Sequence, residues 1–77
     1  MTKITKEQLS AAEEIICREV KDPYSQQDAL SQLYWQIKRL GKLWRNAGEP
    51  AITFCIRGRL DLRLSRLVSE ALGLNDL

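Results

Sequence analysis

The chain has 77 residues, 44% hydrophobic and 29% charged, with 12 basic residues against 10 acidic and no histidine. That length allows one domain with a single small core, marginal without a disulfide, a metal or a partner subunit, and the composition is globular rather than disordered. The missing histidine excludes His-based zinc sites, Ser-His and Cys-His nucleophile pairs and the usual general base, and no apolar run reaches the length of a membrane span.

No glycine-rich phosphate loop of standard spacing is present either. These exclusions predict a non-enzymatic protein with no catalytic residue, no metal, no cofactor, no small-molecule substrate and no membrane partner. The segment Met1-Thr2-Lys3-Ile4-Thr5-Lys6 lacks the apolar core of a secretory signal, so the expected compartment is the cytoplasm.

The first helix is predicted over about residues 6–21. Thr5 and Gln8 have the spacing of a capping box, and Ile4 with Leu9 can close a hydrophobic staple across it. Leu9, Ala12, Ile16 and Val20 fall on one face, while Glu13, Glu14 and Arg18 face water. Asp22-Pro23 ends the helix, because the residue before a proline is pushed out of the helical region.

A second helix is predicted over about 25–47, starting at Ser25 with Asp28 near the positive end of the dipole. Leu30, Leu33, Ile37, Leu40, Trp44 and Ala47 recur at alternating steps of three and four, an a/d seam for packing against another helix. On its other side lie Trp35, Lys38, Arg39, Lys42 and Arg45, with no acidic residue among them. Asn46-Ala47-Gly48 and then Pro50 supply the stop signal.

The third segment admits two readings. Ile52, Phe54 and Ile56, then Leu60, Leu62 and Leu64, alternate like the strands of a hairpin around Gly58. Against this, Pro50 suits a helix start, and Ile52, Ile56, Leu60, Leu64, Leu67 and Ala71 keep a helical period. An isolated two-stranded hairpin is also hard to stabilise in so small a chain. The favoured expectation is a third helix over about 50–72, broken or kinked near Gly58.

The predicted fold is therefore all-α: one small domain over residues 1–77, built as a long antiparallel helical hairpin with a shorter N-terminal helix. Leu43, Phe54 and Leu62 fall beside the main stripes, more apolar surface than one small bundle readily encloses. That excess predicts assembly into a dimeric helical bundle through Leu30, Leu33, Ile37, Leu40 and Trp44; a wide monomeric core is the alternative. Cys17 and Cys55, each among apolar neighbours, read as small buried hydrophobes, with a redox role or a dimer crosslink as the other possibilities.

Charge is unevenly spread. Residues 1–28 hold four basic and six acidic side chains, whereas residues 29–66 hold eight basic and two acidic. The basic stretch predicts a partner-binding face made of Trp35, Lys38, Arg39, Lys42, Arg45, Arg59, Arg63 and Arg66. The expected function is a small adaptor or inhibitor that binds a protein, one with an acidic surface, as a helical homodimer. The alternatives are a nucleic-acid-binding regulator using the same face, with Trp35 stacking on bases, and a purely structural assembly module. The face could also be neutralised internally by Glu13, Glu14 and Glu19.

Overall fold

The computed structural model describes residues 4–40 and 49–74. Three helices dominate it: α1 (Lys6–Glu19), α2 (Pro23–Lys38) and α3 (Leu62–Ala71). A two-stranded antiparallel hairpin, β1 (Cys55–Ile56) and β2 (Arg59–Leu60), sits between the last two. The mostly helical class is as expected. The arrangement is not.

α1 starts on its capping box. Thr5 Oγ1 accepts from the Gln8 backbone N–H at 3.1 Å, and Gln8 Oε1 accepts from the Thr5 N–H at 2.9 Å. Ala12, Ile16 and Val20 are buried, and Ile4 and Leu9 pack partly buried against the same core. The helix ends at Glu19 rather than Lys21, because Val20 turns extended.

The Asp22-Pro23 pair both closes α1 and opens α2, which corrects the expected start at Ser25. Asp22 is the N-cap, its Oδ2 accepting from the Ser25 N–H at 2.9 Å. Pro23 takes the first helical position, where a missing N–H costs nothing. The bonds to the Ser25 backbone and side chain hold the Asp22 carboxyl below its ordinary pKa, with Arg57 adding a smaller attraction. A depressed carboxylate contributes stability above its unfolded pKa of about 4 and loses it as pH falls through the folded value. The stability gap between the wild type and Asp22→Ala, read from urea midpoints, should therefore be full at pH 7 and close as pH falls below about 4. A gap independent of pH would refute the capping role.

α2 ends at Lys38 instead of running to Ala47. The Arg39 N–H bonds back to the Gln36 carbonyl at 3.1 Å, tightening the last turn. Gly41, Lys42, Leu43, Trp44, Arg45 and Ala47, all parts of the expected helix, lie outside the described residues. Of the seam, Leu33 is fully buried within the chain's own core, and Leu30, Ile37 and Leu40 pack partly buried on it.

The expected helix over 50–72 is replaced by an extended segment, the hairpin and α3. The reason is a set of side chains that supply the extended backbone with partners. Gln36 Oε1 accepts from the Thr53 N–H at 3.0 Å while its Nε2 donates to the Thr53 carbonyl at 2.6 Å. Gln32 makes the same pair of bonds to Cys55, at 2.9 and 2.8 Å. From α3, Ser65 Oγ accepts from the Phe54 N–H at 2.9 Å. Ser69 Oγ accepts from the Ile52 N–H at 3.2 Å and donates to the Ile52 carbonyl at 3.3 Å.

The spacings match for a geometric reason. Four helical residues rise about 6 Å, and two strand residues advance about 6.6 Å. Side chains at i and i+4 of a helix can therefore meet backbone groups at j and j+2 of a strand. Successive strand residues point their N–H and C=O to opposite edges, so Thr53 and Cys55 face α2 while Ile52 and Phe54 face α3. Each glutamine amide presents one donor and one acceptor, as a partner strand would.

The orientation follows from the same bonds. The segment runs opposite to α2, since Gln36 precedes Gln32 along it, and opposite to α3, since Ser69 precedes Ser65. Hence α2 and α3 run parallel to each other, not as the expected antiparallel pair. α1 runs opposite to both: Arg63 reaches Glu19 at one end, and Gln8 lies against Gly73 at the other. Beneath the segment, fully buried Ile52 and Phe54 meet Ile16, Leu33, Leu64, Val68, Leu72 and Leu74 in one core.

The expected burial of both cysteines is also corrected. Cys17 and Cys55 are free and exposed. Cys55 alternates with Phe54 along the extended segment, so it takes the solvent face because Phe54 takes the core.

Candidate partner-binding surface

The outer side of the extended segment, bearing Thr53 and Cys55, is flanked by α2 and α3. On α2, Trp35 and Arg39 lie one step around the helix from Gln32 and Gln36. On α3, Leu62 and Arg66 lie similarly beside Ser65 and Ser69. The register fixed by Gln36 on Thr53 and Ser65 on Phe54 brings Trp35 and Arg66 to about the same level on either side of Thr53.

Trp35 is the centre of this surface. Its side chain is 54% exposed, and the Arg39 guanidinium carbon lies 5.2 Å from the ring centroid. That is cation–π geometry, which fixes both side chains without removing either from solvent. Neither Arg39 nor Arg66 has an ion pair among the described residues.

The remaining predicted contact residues divide. Lys38 is exposed on the side of α2 away from the extended segment. Arg59 is exposed on β2, at the hairpin end. Arg63 turns toward α1, where its Nη2 lies 3.6 Å from Glu19 Oε1. Lys42, Arg45 and the seam residue Trp44 lie outside the described residues. Internal neutralisation by the first helix thus reaches Arg63 and leaves the Trp35 surface untouched. Glu13 is engaged on the opposite flank, accepting a hydrogen bond from the Tyr34 hydroxyl. That bond raises the phenol's pKa above its ordinary value, with burial as a lesser cause.

Three exposed apolar side chains are not singled out by the sequence as surface features: Tyr24 at 81%, Leu60 at 54% and Tyr34 at 41%; Leu62, one of the excess apolar residues, is also 41% exposed. Tyr24 lies in the first turn of α2, where no preceding turn covers it. Leu60 and Leu62 flank the Asp61 N-cap, whose Oδ1 accepts from the Leu64 N–H at 3.0 Å. The Asp61 spacing to Leu64 is the local signal for that helix start.

Among the described residues, no group of three or more metal-ligating side chains could hold an ion, and no helix is long and apolar enough to cross a membrane. Every buried side-chain nitrogen and oxygen among them has a hydrogen-bond partner. No family model matches the chain, and comparison with curated proteins and with solved structures finds no match either.

Proposed function

We propose that this protein is a small non-enzymatic adaptor or inhibitor that captures an acidic protein surface through Trp35, Arg39 and Arg66. One observation carries this reading: a half-exposed tryptophan is held in place by Arg39, an arginine with no ion pair among the described residues. Tryptophan and arginine are the residues on which binding energy concentrates at protein interfaces, because one buries a large rigid surface and the other offers a planar set of donors. For this face, protein is favoured over nucleic acid because Arg39 lies over the indole ring that a base would need. A purely structural module gives Trp35 no such role.

The reading includes self-association as a helical homodimer. Leu30, Ile37 and Leu40 are only partly covered by the chain's own core, and a second copy laid along that flank of α2 would cover them further.

The test is affinity capture from the native host with the wild type and with Trp35→Ala/Arg39→Ala, with circular dichroism and sedimentation equilibrium run on both. Losing even one central contact of this kind costs about 2 kcal/mol or more, so the double substitution should weaken capture by more than about 30-fold. Helicity and self-association should be unchanged. Capture that survives the double substitution removes this surface as the site, whereas a loss of helicity would assign Trp35 to the core. A clean monomer at high micromolar concentration removes the dimer alone.

A further inference from the structure

The C-terminus of α1, the N-termini of α2 and α3 and the hairpin meet at one end of the molecule. Arg57 lies 3.9 Å from Asp22 there, and Arg63 lies 3.6 Å from Glu19. Arg18, Lys21, Arg57, Arg59 and Arg63 ring this end. Of the acidic residues beside them, Asp22 and Asp61 are engaged as helix caps. The ion pairs of Arg18, Arg57 and Arg63 are 3.4–3.9 Å long, and these arginine side chains are 64–79% exposed. Exposed pairs of this kind hold their partners weakly, so the guanidinium groups are available to a stronger anion. Lys21 and Arg59 have no ion pair among the described residues.

The turn itself supplies a second, independent observation. Arg57 and Gly58 both have positive φ, 54° and 78°. A two-residue hairpin turn of this type favours Asn-Gly, and a side chain with a Cβ is strained in its first position. Turn formation does not call for arginine at residue 57. Its guanidinium, 75% exposed, places a positive charge at the tip.

We propose that this end binds duplex DNA, with Arg57 and Arg59 reaching into a narrow minor groove and Arg18, Lys21 and Arg63 contacting the flanking phosphates. An extended arginine is slim enough for a groove about 6 Å wide, and narrow A·T-rich grooves concentrate the negative potential that attracts it. The wide, shallow minor groove of RNA offers no such focus. Residues 57–59 are Arg-Gly-Arg, but Leu60 and Leu62 are exposed just behind the tip, so a lipid surface is the competing occupant that the test separates from DNA. The surface lies about 18 Å along α2 from Trp35, and the inference stands apart from the protein-binding reading.

The test is fluorescence anisotropy with about 20-bp duplexes, A·T-rich DNA, G·C-rich DNA and RNA, from about 50 mM salt upward. The A·T-rich DNA should bind tightest, with affinity falling steeply as salt rises. Arg57→Gly/Arg59→Thr should weaken its binding about tenfold or more and reduce the preference for A·T-rich DNA. Arg57→Gly relieves the turn, so circular dichroism and the urea midpoint should show an intact fold. Arg57→Lys/Arg59→Lys, which keeps both charges, should retain most of the salt slope. Trp35→Ala/Arg39→Ala should bind DNA as the wild type does. No duplex binding at about 50 mM salt, equal affinity for RNA, or a neutral-tip variant that binds like the wild type would each overturn the inference. Binding to phosphatidylserine vesicles without binding to DNA would overturn it as well.

Discussion

Replacing Phe54 with alanine is expected to destabilise the protein by about 3–5 kcal/mol. Phe54 is completely buried and is the largest of the fully buried side chains, lying between α2 and α3 above α1. A chain of this length has a total stability of roughly 4–12 kcal/mol, so the loss removes about a quarter or more of it. Urea denaturation followed by circular dichroism should show a midpoint lowered by more than 1 M, or no cooperative transition at all. Leu60→Ala is the internal control. Leu60 is 54% exposed, and its removal should change stability by no more than about 0.5 kcal/mol. The pair also separates the two readings of this segment. A continuous third helix puts Leu60 on the packing stripe and Phe54 beside it, so it predicts the reverse order of effects. A larger loss from Leu60→Ala would refute the extended segment.

The parts of the fold that were legible in the sequence are those whose determinants are local. Thr5 and Gln8 are three residues apart and satisfy each other, so the start of α1 could be read directly. Leu33 and Ile16 lie on strong amphipathic faces, and both are core residues. Asp22-Pro23 misled because the same two residues serve as stop and start. The dipeptide was read as the end of one helix, although proline in a first turn is also a start signal.

The 50–72 segment could not be resolved from its own periodicity. Ile52, Ile56, Leu60 and Leu64 fit a helical stripe as well as two strands, because a step of four satisfies both periods. What decides between them is non-local. Gln32 and Gln36 sit about 20 residues upstream, and Ser65 and Ser69 more than 10 residues downstream, of the backbone groups they bond. The objection that a lone hairpin is marginal omitted these helices as partners. The same gap explains the candidate surface: Trp35 and Arg66 are brought level by the register of the extended segment. Arg63, by contrast, is drawn to Glu19 by the packing of α1 on α3.

Ser65→Ala/Ser69→Ala provides the sharper test, because two principles predict opposite signs for it. Alanine is the better helix former, so propensity alone predicts a gain of up to about 1 kcal/mol for the pair. Both serines are buried, however, and their hydroxyls accept from the Phe54 and Ile52 backbone N–H groups. An alanine cannot accept, and water has little access to these amides. Each N–H left without an acceptor costs about 1–3 kcal/mol. The Phe54 carbonyl keeps its bond to the Asp61 N–H at 2.8 Å, so the hairpin remains closed while its attachment to α3 weakens. The double variant should therefore lose about 2–5 kcal/mol by urea denaturation, with helicity nearly unchanged before the transition. Amide exchange at Ile52 and Phe54 should accelerate more than at Leu33, because the extended segment can then detach without the core of α2 unfolding. A double variant more stable than the wild type would mean that helix propensity outweighs the clamp, and the hydroxyl bonds would then not be what holds residues 52–54 extended.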